Sequence, residues 1–176
     1  MALNLEDKKA IVSEVAAVAA QAHSAVAAEY RGLSVAEMTE LRQKARETGV
    51  YLRVVKNSLA RRAVQGTDFE CMQEGMVGPL VLAFSQEDPG AAARLVKDFS
   101  KSHKQLECKM VSLSGQLLGP AELDRVASIP SRDEAISMLM ATMKAPMDKF
   151  ARTVNEVPGK LVRTVAAIRD QKQAAA

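Results

Sequence analysis

The sequence contains no tryptophan and few other aromatic residues, with two tyrosines and four phenylalanines among 176 residues. Any core must therefore be built from valine, leucine, alanine and methionine, which suits helices packed on a sheet. The shortage of aromatic rings also argues against a surface that recognises nucleic-acid bases by stacking.

Long apolar runs are absent as well. No stretch approaches the roughly 20 consecutive apolar residues that cross a bilayer. The first seven residues lack the basic and apolar segments of a secretory leader. We therefore expect a cytoplasmic protein with no membrane association.

Cysteine and histidine are each limited to two, Cys71 and Cys108, His23 and His103. The cysteines show no C-x-x-C spacing, and we expect reduced, structural thiols. His103 lies near Cys108 in the chain, but no matching ligands follow, so we predict no metal site, no catalytic residue and no cofactor. The glycine-rich nucleotide motifs G-x-x-x-x-G-K-[ST] and G-x-G-x-x-G are also missing. A small α/β enzyme with a regulatory amphipathic tail is the competing interpretation, although no nucleophile, base and orienting residue can be named for it.

Helical and strand patterns alternate along the chain as far as residue 128. Strands are expected at 24–30, 50–55, 77–84 and 105–111, with helices between and after them. This alternation predicts an α/β domain, residues 1–130, with a sheet of roughly four strands flanked by helices. After Pro130 the strand patterns end, and residues 131–176 read as an extended helical tail that Pro146 and Pro158 interrupt.

The tail repeats itself at a step of eleven residues. Residues 149–157 (KFARTVNEV) align with 160–168 (KLVRTVAAI), and a weaker copy, lacking the Lys and Arg, precedes them. Eleven residues make almost three helical turns, so each copy presents the same face. The apolar residues of that face form a predicted docking stripe: Leu139, Met143, Phe150, Val154, Val157, Leu161, Val165 and Ile168.

A face that recurs suggests ligands that recur, about 16 Å apart at 1.5 Å per residue. Two alternatives remain: an ordinary amphipathic helix that packs on its own domain, and a basic helix on a membrane surface. The stripe is narrow and lacks tryptophan, which disfavours the membrane. Methionines crowd the first copy, and flexible thioethers suit an adaptable binding surface.

Positive charge is concentrated in the domain at residues 51–66, which hold four basic residues and no acidic one. A strand gives way to a helix within this segment, and a helix N-terminus favours an anion such as phosphate. Several spaced cations fit a nucleic-acid backbone, although a solvated helix face explains them as well. The candidate RNA-binding residues are Arg31, Arg53, Lys56, Asn57, Ser58, Arg61 and Arg62.

The chain closely resembles the family of bacterial large-subunit ribosomal proteins, number ten in the bacterial naming, that form the base of the ribosomal stalk. The residues that carry the resemblance are 1–7 (MALNLED), 30–32 (YRG), 38–42 (MTELR), 49–59 (GVYLRVVKNSL), 61–64 (RRAV), 89–95 (PGAAARL), 139–144 (LMATMK) and 159–165 (GKLVRTV). The resemblance implies an N-terminal domain that binds large-subunit rRNA beside ribosomal protein eleven. It also implies a C-terminal helix that holds dimers of the acidic stalk protein, which recruit translational GTPases, and a role in regulating the protein's own operon.

One departure from the family pattern concerns the tail. Shorter members run almost directly from the LMATM segment to the GKLVRT segment, whereas here residues 146–157 add another copy. We therefore predict three sites for stalk-protein dimers rather than two.

Overall fold

The computed structural model describes residues 4–103 and 105–174. It divides into two units, Met1–Ser131 and Arg132–Ala176. The ends of the two predicted domains, 1–3 and 175–176, lie outside the described residues. The elements of the first unit are α1 Leu5–Gln21, β1 Ser24–Glu29, α2 Val35–Glu47, β2 Val50–Val54, α3 Asn57–Val64, a 3₁₀ turn at Glu70–Met72, β3 Leu80–Ser85, α4 Ala91–Ser102, β4 Glu107–Leu113, β5 Gln116–Leu118, a second 3₁₀ turn at Pro120–Glu122 and α5 Leu123–Ala127.

Capping boxes start the first two long helices. The Asn4 side chain accepts a hydrogen bond at the start of α1, and the Asn4 backbone N–H donates in return to the Asp7 carboxylate at 3.2 Å. Ser34 and Glu37 exchange the same pair of bonds at the start of α2, at 3.3 and 2.6 Å. These bonds satisfy backbone N–H groups that have no partner within the helix, so the sequence specifies where each helix begins.

The five strands form one antiparallel sheet in the order β2-β3-β1-β4-β5. Both β1 and β2 are antiparallel to β3, which lies between them, so β1-α2-β2 is a split β-α-β unit. The predicted α/β class and flanked sheet are confirmed. The expected four strands become five because β5 is only three residues long and follows a two-residue turn, Ser114-Gly115, in which both residues have positive φ.

Helices cover both faces of the sheet. One apolar cluster packs α2, α4 and α5 against Val26 and Ala28 of β1. The other packs α1, α3 and the first 3₁₀ turn against Ala25 and Ala27 of the same strand. Because β1 is central and buried on both faces, its side chains are small and continuous in apolar character rather than alternating.

The second unit is a single helix, α6, at Arg132–Ala174. It runs through both Pro146 and Pro158, so the interruption expected at these prolines is wrong. Each proline removes one backbone N–H donor, but its fixed φ is compatible with a helix, and the remaining hydrogen bonds of the 43-residue element maintain it.

Candidate nucleic-acid interface and docking helix

Chain segments far apart in sequence meet at one end of the sheet. β1 and β2 end there, and β3 and β4 begin there, as shown by the pairing of Glu29 with both Leu80 and Glu107 and of Val54 with Val81. A shallow groove of about 410 Å³ lies at this end. Its lining consists of Tyr30, Val54, Val55, Lys56, Asn57, Ser58, Gly78, Pro79 and Leu80. We call it the sheet-end groove.

The loop before β3 is held by three side chains. Successive carbonyl oxygens of Met76, Val77 and Gly78 accept hydrogen bonds from three donors: Arg61 Nη2 at 2.8 Å, Lys109 Nζ at 2.6 Å and Asn57 Nδ2 at 2.9 Å. Asn57 and Arg61 are both predicted to contact RNA. In the structure, each also makes a hydrogen bond that holds this loop. Two of the three donors are cationic, so the bonds also hold positive charge beside the groove.

Lys109 was not identified from the sequence. It lies on β4, which starts beside the groove, whereas the charge count directed attention to residues 51–66. Its only sequence signal was its polar position in the alternating pattern of 105–111. The sheet, not the local sequence, brings it to the loop.

The side chains of Lys56 and Arg62 are exposed and make no hydrogen bond or ion pair with another residue in the described part of the chain. Lys56 occupies the N-cap position of α3, where no side chain caps the helix. Arg31 is also largely exposed, with its Nε 3.5 Å from the Glu29 carboxylate. These three cations can bind an external anion with little rearrangement.

Arg53 lies elsewhere. It forms an ion pair with Glu14 of α1, and its Nη1 donates to the Tyr51 hydroxyl at 3.0 Å. The Tyr51 hydroxyl donates in turn to Glu14 Oε1 at 2.8 Å. Hydrogen bonds from Arg53 and then Tyr51 lower the pKa of Glu14, and those to Tyr51 and Glu14 raise the pKa of Arg53. Arg53 is thus engaged within the unit.

A second groove, of about 480 Å³, follows the edge strand β2 and includes Arg53. Arg42 and Arg46 of α2 line it too, and neither was predicted as a site residue. The two grooves meet at Val54, which lines both. Of the predicted RNA-binding residues, Lys56, Asn57 and Ser58 line the sheet-end groove, Arg61 is bonded to the loop beside it, and Arg53 lines the second groove. Arg31 and Arg62 line neither groove.

The predicted docking stripe is exposed along α6. Every one of its eight apolar residues has at least half of its surface accessible, from 54% at Ile168 to 73% at Met143. Exposed apolar side chains in such number on one helix are typical of an interaction surface.

Each of the three copies has the same internal hydrogen bond. Thr142, Thr153 and Thr164, eleven residues apart, donate from Oγ1 to the carbonyl oxygens of Leu139, Phe150 and Leu161, each at 2.8 Å. The bond turns each hydroxyl back onto the helix. The first copy, which has the weakest sequence match, shares this arrangement fully.

The surroundings of the two cysteines and His103 fit structural roles. Both cysteines are free, and burial raises the pKa of Cys108 to about 11, so its thiol stays protonated at neutral pH. His103 stacks on Phe99 with ring centres 4.4 Å apart, and its Nδ1 lies 3.0 Å from Glu37.

Within 4–103 and 105–174, no group of three or more potential ligands is arranged to hold a metal ion. No helix in these ranges is long and apolar enough to cross a membrane.

Comparison with known proteins identifies the class. The model of the family described as Ribosomal protein L10 matches residues 3–101, and that described as Ribosomal protein uL10 C-terminal region matches residues 129–157. The chain is thus a structural protein of the large ribosomal subunit and not an enzyme, and the enzyme interpretation is wrong.

Full-length relatives agree with both matches. The chain is 83% identical over 176 residues to the large ribosomal subunit protein uL10 of Thioalkalivibrio sulfidiphilus, covering all of both chains. It is 65% and 67% identical over 175 residues to the proteins of that name from Alkalilimnicola ehrlichii and Halorhodospira halophila, covering 99% of this chain and 100% of each relative. The chain belongs to the ribosomal protein L10 family, also called uL10.

Proposed function

We propose that this protein anchors the stalk of the large ribosomal subunit. The first domain, residues 1–130, binds large-subunit rRNA beside ribosomal protein eleven. The helical tail, residues 131–176, holds three dimers of the acidic stalk protein, which recruit GTP-bound translation factors in the cytoplasm. Membership of the L10 family supports the ribosomal role. The observation that carries the docking role is the exposed stripe that recurs three times with one threonine bond per copy.

The RNA-binding half rests on the charge at the end of the sheet. Lys56 and Arg62 make no ion pair within the described residues, and Arg31 is 78% exposed at its side chain. Arg61 is fixed by its bond to Met76 and adds a positioned charge. Tyr30 is the one aromatic residue lining the sheet-end groove, so phosphate contacts rather than base stacking would supply most of the affinity.

The proposed docking role of the tail is supported by the eleven-residue repeat of its side chains. A single long amphipathic helix needs an apolar stripe but does not need the same threonine bond at a constant step of eleven. Identical short binding sites on one helix do need this repetition, since each must present the same side chains to an identical partner. The partner's acidity complements the basic residues of the second and third copies.

Native mass spectrometry of the full chain co-expressed with an acidic bacterial stalk protein tests the count. We expect saturation at three dimers, and saturation at two would overturn the three-site assignment. Deleting residues 147–157 removes one copy while keeping the helical phase of the rest, so it should remove one dimer and leave rRNA binding unchanged.

A matched pair of substitutions tests the stripe itself. Val154→Gln places a polar group on the stripe of the second copy and should remove one dimer. Asn155→Gln changes the adjacent residue, which lies about 100° around the helix from Val154 and outside the stripe, and should leave three dimers bound. Equal occupancy in the two variants would argue against docking through this face.

A further inference from the structure

The three copies of the docking stripe differ in charge. We define the first copy as residues 138–148, the second as 149–159 and the third as 160–170. The first contains one basic and one acidic residue, the second two basic and one acidic, and the third three basic and one acidic. The first two stripe positions are apolar in every copy, whereas the third is Pro146 in the first copy and Val157 or Ile168 in the others. The copies therefore share most of the apolar stripe and differ mainly in charge.

The difference is located at two positions of the repeat. Where the second and third copies have lysine, Lys149 and Lys160, the first has Met138, and where they have Arg152 and Arg163, it has Ala141. The lysine immediately precedes the first stripe residue and lies about 100° around the helix from it, on the flank of the stripe. A partner on the stripe would therefore meet a cation in two copies and a thioether in the first.

The charges of the first copy also neutralise each other. Lys144 Nζ lies 3.9 Å from the Asp148 carboxylate, one turn away on the same helix. Lys160 and Arg169 of the third copy are also paired, with Glu156 at 3.6 Å and Asp170 at 2.9 Å. Lys149, Arg152 and Arg163, by contrast, have no ion pair within the described residues. Only the second and third copies therefore keep cations available to an external acidic group.

Methionine takes the place of charge in the first copy. Four of the nine methionines of the chain fall in it: Met138, Met140, Met143 and Met147, all more than half exposed. Neither of the other copies contains one. A polarisable, flexible side chain adapts to a partner surface through apolar contact alone.

We propose that the first copy is an electrostatically neutral docking site, whereas the second and third bind the acidic partner with the help of charge. The inference rests on the proposed function, because the partner is the acidic stalk protein. Attraction between exposed charges is screened as salt rises, whereas apolar burial is not. The first site should therefore keep its dimer at ionic strengths at which the other two begin to lose theirs.

The test measures each copy separately in the full-length chain. Met143→Gln, Val154→Gln and Val165→Gln disable the first, second and third copies without adding charge, and combining them in pairs leaves one copy active. Isothermal titration with an acidic bacterial stalk protein then gives the affinity of each copy between 50 and 500 mM NaCl. We expect the second and third copies to weaken about threefold to tenfold and the first less than about twofold.

A reciprocal exchange assigns the effect to the named positions. Met138→Lys with Ala141→Arg should give the first copy the salt dependence of the others, and Lys149→Met with Arg152→Ala should remove it from the second. Equal salt dependence of three binding copies, or an exchange without effect, would overturn this inference and leave the docking proposal intact. Failure of every copy to bind at 50 mM NaCl would overturn both.

Discussion

Asn57 Nδ2 donates a hydrogen bond to the carbonyl oxygen of Gly78 at 2.9 Å and so ties the first turn of α3 to the loop before β3. Both residues line the sheet-end groove. Gly78 has φ of +98°, a conformation that favours glycine, so the loop depends on both residues.

Replacing Asn57 with alanine should lower the free energy of unfolding by about 1 kcal/mol, because the Gly78 carbonyl loses its donor. Urea unfolding followed by circular dichroism measures the change. Ser58→Ala is the control: its side chain makes no hydrogen bond with a described residue, and the expected change is within about 0.5 kcal/mol. Equal losses in the two variants would contradict a specific role for the Asn57–Gly78 bond.

Removing the unpaired cations should weaken rRNA binding. Lys56→Ala with Arg62→Ala is expected to lower affinity for large-subunit stalk-base RNA and to reduce the slope of log K against log salt by about 0.7 to 0.9 per lost phosphate contact. Filter binding over a salt series measures both quantities. Adding Arg61→Ala should weaken binding further, because it removes a third cation. It also leaves the Met76 carbonyl without its hydrogen-bond donor.

A charge-matched control separates position from net charge. Lys101→Ala with Arg125→Ala removes two cations from α4 and α5, on the other face of the sheet from α3. Its affinity and slope should stay close to wild type. If both double variants lose affinity equally, general electrostatic attraction accounts for binding and the sheet-end assignment fails.

The Glu14–Arg53 pair should make stability depend on acid pH. The pKa of Glu14 is lowered from 4.5 in the folded protein by hydrogen bonds from Arg53 and Tyr51. A carboxyl with a lowered folded pKa contributes stability above its unfolded pKa and loses it as pH falls through the folded pKa. Glu14→Gln should therefore destabilise the protein at neutral pH, and the difference from wild type should vanish at a pH well below 4.5.

Unfolding free energies of wild type and Glu14→Gln across this range provide the check. Glu87→Gln, which changes an exposed carboxylate without an ion pair in the described chain, is measured in parallel as the matched control. A Glu14→Gln difference that is constant from neutral to acid pH would exclude the charge of Glu14 as the cause.

The two prolines inside α6 should lower the helix content of the tail. An internal proline is about 3 kcal/mol less favourable than alanine in a helix, so Pro146→Ala with Pro158→Ala should increase the ellipticity at 222 nm and raise the temperature at which the tail melts. Pro120→Ala, at the start of a 3₁₀ turn outside α6, should not change tail melting. No gain in the double variant would mean that neither proline limits the helix.

The start of each early helix could be predicted because its cause is local. Asn4 with Asp7 and Ser34 with Glu37 form their capping bonds within four residues of sequence. The repeat in the tail was equally readable, since a step of eleven is a property of the sequence alone. Strand β5 was missed because three residues are too few to show alternation.

The candidate interface was only partly predictable, because pairing between distant strands assembles it. Lys109 is more than 50 residues from Lys56 in sequence, and only the order of strands brings β2, β3, β1 and β4 together. Arg53 was grouped with Lys56 by proximity in sequence, yet Glu14 and Tyr51 draw its side chain toward α1. Charge counting finds cations but not the partners that neutralise them.

The insertion of β3 between β1 and β2 sets the order in which the groove can form during synthesis. Tyr30, directly after β1, and Val54 of β2 line the groove, but β1 and β2 do not pair with each other, and each is held by β3. A nascent chain that has not yet released residue 85 from the exit tunnel therefore has every candidate RNA-binding residue but no groove. Affinity for RNA should be acquired in one step, when the last residues of β3 emerge and the strand inserts.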